Sequence, residues 1–404
     1  MEDNPWDKKY LYYTNEHPLF NSVMKIDTDT MTLKADIHVW GFNPHSVDRA
    51  CNTDKMYVRT QSSHSFAVID AKTEECLKVV DLPFKPRTCG DQNYAYNLQL
   101  VSGNSDPGIA VINVDNDEVI FTDWEPANDR KPKGNQGGSS TGHAVWFDKN
   151  HFGYLNRLSN EIKIFKIHVD NMNRTFSFVY YQTITETDGL KTSLHTIQDD
   201  KIDTDLNTTI FYGTVEGYDP TPESGDTAVA PGIQEFTWNP AQGVGLIVKR
   251  FFELPQSSSK DTIHHYSILK DTKYLFVPTY SSRKTHIINT DTMTVSHTFN
   301  SGYGGGHVNF AISRGYAIVT NHFDQFVTVI NYVTNETHKV HVNNDIVNYP
   351  NSPLLQTHSN WVSEDERYFY MGNSNSGEFV EVDLEYLIVS RKLFVGGHPE
   401  QSIS

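Results

Sequence analysis

A chain of 404 residues with 33 Lys plus Arg against 50 Asp plus Glu has a formal charge of −17, the wrong sign for a phosphate-binding surface, which argues against nucleic acid as a partner. The 21 Tyr, 22 Phe, 25 Gly and 17 Pro favour strands and turns over helices. No apolar run approaches the roughly 20 residues of a spanning helix, so no membrane span is expected.

The first residues, Met1-Glu2-Asp3-Asn4-Pro5-Trp6, lack the basic and apolar regions of a signal peptide. The expectation is a periplasmic or secreted protein whose signal has been trimmed, with a cytoplasmic chain as the alternative. Residues 9–13 form an aromatic strand, and residues 24–37 a hairpin with a turn rich in Asp and Thr. That hairpin returns at 67–80, 110–122, 162–183, 233–252, 286–299, 327–342 and 379–395. The closest pair is Lys25-Ile26-Asp27-Thr28-Asp29-Thr30-Met31-Thr32 beside Ile287-Ile288-Asn289-Thr290-Asp291-Thr292-Met293-Thr294.

Between hairpins, a polar or Pro-containing stretch leads to an apolar and then an aromatic strand, as from Pro44-His45-Ser46-Val47 to Lys55-Met56-Tyr57-Val58. Each unit is thus four short antiparallel strands in about 50 residues, and eight units fill the chain. Residues 396–403 open a unit without a hairpin of its own, which residues 9–13 and the strands after them complete. The reading is all-β: one β-propeller domain over residues 1–404, eight four-stranded blades, closed by strands from both ends in one blade. Loose units near 128–140 and 219–231 leave seven blades as the alternative.

The motifs Tyr332-Val333-Thr334-Asn335, Tyr13-Thr14-Asn15 and Ile318-Val319-Thr320-Asn321 resemble the YVTN family of propeller repeats along the whole chain. That resemblance implies the fold and carries little about function. The loops 125–142 and 215–232 break the period and are read as surface insertions that can cover a channel mouth. Cys51, Cys76 and Cys89 lack zinc or redox spacing, and sequons occur at Asn173, Asn207 and Asn335.

Aligned on the innermost strand, one position of the eight units reads His45, Arg87, His143, His195, His264, His307, His358 and Glu400, with His398 two residues earlier. Equivalent blade positions lie at one height around the axis, so these side chains should meet at the channel mouth. Imidazole is a ligand for Zn, Cu, Fe or Ni, and several imidazoles in one place gain from a cation among them. The expected metal ligands are His45, His143, His195, His264, His307 and His358. Arg87, Glu400 and His265 are expected to handle substrate and protons. Arg59, Arg157, Glu216 and His322 fall near the axis, with solvated loop charge as their plainer reading; the other histidines are treated as bystanders.

This placement of ligands is similar to that of the copper propellers of nitrous oxide reductase and thiocyanate dehydrogenase. The resemblance implies a copper oxidoreductase acting on a small molecule or anion, passing electrons to an external carrier. The alternatives are a metal-assisted polysaccharide or peptide lyase and a non-catalytic binding propeller.

Overall fold

The computed structural model describes residues 4–135, 138–170, 172, 174–199, 210–240, 243–255, 257–342, 348–349 and 354–403. Their strands form eight four-stranded antiparallel sheets. The first strands of these sheets, Pro44–Arg49, Pro86–Asn93, Val145–Asp148, Leu194–Asp199, Ser267–Ile268, Gly305–Ala311, Trp361–Val362 and Pro399–Ile403, define blades 1 to 8. Blade 8 joins Pro399–Ile403 to Tyr10–Asn15, Ser22–Asp27 and Thr32–His38, with Tyr12 opposite Ile403. The protein is an eight-bladed β-propeller closed by strands from distant parts of the chain. Residues 128–135 and 219–231 are loops, which removes the seven-blade alternative.

Side-chain alternation explains how the blades stack. In the second strand of blade 8, Tyr10 and Tyr12 pack on Val47, Met56 and Val58 of blade 1, whereas Leu11 and Tyr13 pack on Tyr370 and Phe379 of blade 7. Eight such clusters fill the eight seams, so every blade is buried on both faces. Each fully buried aliphatic or aromatic side chain contributes about 1.5–3 kcal/mol.

The recurring Asp/Asn-Thr turns also have a local cause. Asp27 Oδ1 accepts the Thr30 N–H at 2.9 Å, Asp70 Oδ1 the Thr73 N–H at 3.0 Å, and Asn331 Oδ1 the Thr334 N–H at 2.9 Å. Each side chain stands in for a backbone acceptor and closes the outer hairpin. Cys51 and Cys76 are free thiols, while the Cys89 side chain and the sequon residues Asn173 and Asn207 lie outside what is described. Asn335 sits in an exposed outer turn.

Candidate metal centre

In every blade a residue at the start of the inner strand, or four to five residues before it in blades 3, 5 and 7, pairs at the end of the second strand. The pairs are Pro44 with Thr60, Pro86 with Gly103, Thr141 with Asn156, Leu194 with Val215, Ile263 with Thr279, Gly305 with Asn321, Gln356 with Asn373 and Pro399 with Asn15. Just beyond each pair the register slips, and such a bulge re-aims side chains. The two residues after the pair therefore form two adjacent slots.

The first slot holds His45, Arg87, Gly142, His195, His264, Gly306, Thr357 and Glu400; the second includes His143, His265, His307, His358 and Gln401. The single position expected from sequence is thus two. Blades 3, 6 and 7 place a small residue first and histidine second, and blade 5 uses both slots.

The slots converge on a cavity of about 170 Å³ lined by His45, Arg87, His143, His195, His264, His265, His307 and His358, with Ser139, Ser359 and Gln401. Ring centres lie 4.2 Å apart for His264 and His265, 4.5 Å for His265 and His307, 4.8 Å for His195 and His264, and 5.1 Å for His143 and His265. His322 joins them, 4.9 Å from His358 and 6.1 Å from His264. Three triads have ligand atoms within 4.8 Å of one another: His143, His195 and His265; His264, His265 and His307; His264, His322 and His358. His45 belongs to none of them and falls instead with Glu16 and Glu400.

A second ring supports the first. The residue after the second strand donates its N–H to the carbonyl just before the strand pair: Glu16 to His398, Gln61 to Asn43, Arg157 to Ser140, Glu216 to Ser193, Tyr280 to Thr262 and His322 to Gly304. Arg157, Glu216 and His322 are buried here, which overturns their reading as solvated charges. Arg59 lies two residues short of this ring and is buried against Asp48. Glu16 was missed by the sequence reading, although it follows Tyr13-Thr14-Asn15 as His322 follows Val319-Thr320-Asn321. A Cβ at Gly306 would collide with the His322 ring, so glycine in that first slot admits the eighth imidazole.

Outer groups fix the imidazole tautomers. His322 Nδ1 faces the Gln356 carbonyl at 3.1 Å and His358 Nδ1 pairs with Glu400, while a Glu216 oxygen lies 2.5 Å from His195 Nδ1 without hydrogen-bond geometry. An N–H at Nδ1 leaves the Nε2 lone pair toward the cluster, the usual support of a metal-binding histidine. His264 Nδ1, His307 Nε2 and His322 Nε2 are buried with no hydrogen-bond partner among the described residues. Buried polar atoms without partners are costly unless a ligand takes them, so the donor set fits a metal.

Burial, then the neighbouring imidazoles, holds His143, His322 and His358 down at about 3 and His264, His265 and His307 well below the usual range. All six are therefore neutral imidazoles at physiological pH, the form that can ligate a metal. Arg87 is lowered by burial and by Arg157 and has no ion pair among the described residues. Burial and Glu16 push Glu400 up to about 8. Arg157 and Glu216 form a buried pair at 2.8 Å, so the mouth collects carboxylates as well as His and Arg.

The period-breaking loops lie against this ring. Asn135 N–H donates to the Gly217 carbonyl at 3.1 Å, and its side chain to Asp261 O at 2.7 Å, just before His264. Lys133 pairs with Asp226 at 2.7 Å, and Arg157 donates to Ser139 O at 2.9 Å. Among the supposed bystanders, His151 and His286 are buried but bonded to Asp148 and Thr298, away from the cavity.

No protein-family model and no curated protein matches the sequence. Solved structures do. The chain is similar to the dihydro-heme d1 dehydrogenase NirN in complex with DHE, at 11% identity and TM-score 0.66, covering 100% of this chain and 76% of that one. It is similar to AztD from Citrobacter koseri at 11% identity and TM-score 0.59, covering 98% and 97%. A protein from Lactobacillus plantarum matches at 11% identity and TM-score 0.54, covering 82% and 94%. At such identity the likeness establishes the propeller fold alone.

Proposed function

We propose that the protein is a metal-dependent enzyme whose imidazole cluster holds more than one transition ion, with copper as the best match, and acts on a small anion. The observation that carries this reading is the set of three interlinked imidazole triads whose nitrogens are oriented from behind by Glu400 and the Gln356 carbonyl, with Glu216 beside His195. His143, His195, His264, His265, His307, His322 and His358 would hold the ions. Neutral imidazole suits copper, which heads the affinity order for nitrogen sites. Bound there, copper would supply one-electron chemistry, with an external carrier taking the electrons.

Cavity volume favours a substrate of few atoms. About 170 Å³ equals five or six waters at ~30 Å³ each and lies below the ~300 Å³ of ordinary ligand pockets. It suits neither a polymer nor a tetrapyrrole. Arg87 lines it and has no carboxylate partner among the described residues, so its charge is available to an anion. Glu400 reaches the cavity through His358, as a positioning residue, and His265 serves in two triads.

The test is metal analysis of protein purified without chelator, together with its visible spectrum. Two or more copper ions per chain and a band that bleaches with reductant are expected; less than one transition ion per chain overturns the reading. Arg87→Gln should raise KM for the anion about tenfold with metal content unchanged.

A further inference from the structure

Glu16, His45 and Glu400 belong to none of the imidazole triads, although Glu400 also touches His358 of one of them. Glu16 follows the strand Tyr10–Asn15, Glu400 lies in its neighbour Pro399–Ile403, and His45 occupies the first slot of blade 1. One ligand atom from each lies within 4.8 Å of the other two. The nearest imidazole to His45 is His358, 6.0 Å away between ring centres.

Charge shows what this corner lacks. Glu400 is 5% exposed and the Glu16 side chain 15%. Among the described residues neither carboxylate has an ion pair with Lys or Arg; Glu16 pairs with His45 and Glu400 with His358. The two carboxylates crowd one another, with Arg87 as the guanidinium that acts on both without forming an ion pair among the described residues, and a buried charge is tolerated when paired or when it coordinates a metal. Gln401 Nε2 lies 3.4 Å from His45 Nε2. Turned over, that amide accepts an Nε2–H and leaves His45 Nδ1 free to ligate.

We infer that Glu16, His45 and Glu400 form a second cation site, distinct in chemistry from the imidazole cluster, for one divalent ion of the Mn2+ or Zn2+ kind. Two carboxylate oxygens and one imidazole nitrogen match a harder ion than an all-imidazole set does, and their two charges balance a divalent cation. The protein then holds two kinds of metal side by side. This goes beyond the proposed function and does not need the cluster ions to be copper.

The experiment uses the full chain, stripped with chelator, reloaded with copper and titrated with Mn2+ by electron paramagnetic resonance, with Zn2+ in a parallel series read by elemental analysis. Wild-type protein should take one further ion per chain. Glu16→Gln and Glu400→Gln should each weaken that binding more than about 100-fold, beyond the effect of an outer partner; copper content and Tm hold in Glu16→Gln, whereas Glu400→Gln, which also removes the partner of His358, should weaken copper binding by about 10–100-fold. His264→Ala should do the reverse, losing copper and keeping Mn2+. Absence of Mn2+ and Zn2+ binding in the wild type overturns the inference, as does unchanged binding in either Glu variant. Copper and Mn2+ lost together from Glu16→Gln also overturns it, by making that carboxylate part of one cluster. Failure of copper to load would sink the redox reading and leave the Mn2+ result to be judged alone.

Discussion

The two arcs of the inner ring are built on one backbone device and reach opposite chemistry. Blades 3 to 7 place His143, His195, His264, His265, His307 and His358 at the bulge, whereas blades 8, 1 and 2 place Glu400, His45 and Arg87 there. In the first arc neutral imidazoles share one volume; in the second, a carboxylate, an imidazole and a guanidinium stand in the same places. The difference teaches that the bulge supplies position and the side chain alone supplies function. Outer partners cross the divide, since Glu400 from the charged arc orients His358 of the imidazole arc.

The comparison breaks most clearly at His264, which belongs to two triads. His264→Ala should remove more than one metal ion per chain and lower activity at least about 100-fold, more than His307→Ala, while His45→Ala leaves the imidazole-arc ions in place; elemental analysis and turnover decide. Equal loss from His264→Ala and His45→Ala would erase the distinction between the arcs.

Glu216→Gln tests the support behind the first arc. It leaves Arg157, whose side chain is 1% exposed, without its carboxylate, and breaking a buried pair costs about 3–5 kcal/mol. A Tm lower by several degrees, with weaker metal binding, is expected; an unchanged Tm would mean that Arg157 needs no counter-charge.

A smaller effect is expected from Gly306→Ala, which pushes a methyl group into the space of His322. Metal affinity should fall about 10–100-fold. In a His322→Ala background the same substitution should be neutral, because the two side chains compete for one space.

Acid should separate the arcs as well. His143, His322 and His358, held near 3 against about 6.5 in the unfolded chain, give stability to the metal-free protein that is complete above pH 6.5. That stability is lost as pH falls toward 3, at up to about 1.4 kcal/mol per pH unit per histidine. Glu400, raised to about 8, acts oppositely: its contribution is present below about 4.5 and lost as pH rises through 8. Thermal melts of chelated protein should show the acid loss in wild type and in Glu400→Gln, with only the alkaline loss removed in the latter.

Much of the fold was legible because several outer hairpins repeat a local rule, an Asp or Asn acceptor capping a Thr N–H, which leaves its trace in Asp27-Thr28-Asp29-Thr30 and Asn331-Tyr332-Val333-Thr334. The imidazole ring was legible for the same reason. Its division into two slots was not, because a bulge adds a residue without a compositional mark: His45 and His143 look equivalent when counted back from the strand, yet one follows Pro44 directly and the other follows Gly142. The second ring was legible only in part: Arg157, Glu216 and His322 fell near the axis but read more plainly as solvated charges, and Glu16 was not singled out. The closing of eight blades buries the first three, and that burial is a long-range property.

Blade 8 has a consequence for how the protein is made. His398 N–H bonds to Asn15 Oδ1 across 383 positions of sequence, and Glu400 and Glu16 meet by the same route. At a synthesis rate of about 5–20 residues per second, the strand Tyr10–Asn15 waits on the order of 20–80 s for the strand that completes it. Through that interval the nascent chain holds most of the imidazoles without a sealed ring, so metal delivered early would meet an open, misregistered ligand set. A metal taken by the cluster would therefore enter once residues 399–403 have closed the ring.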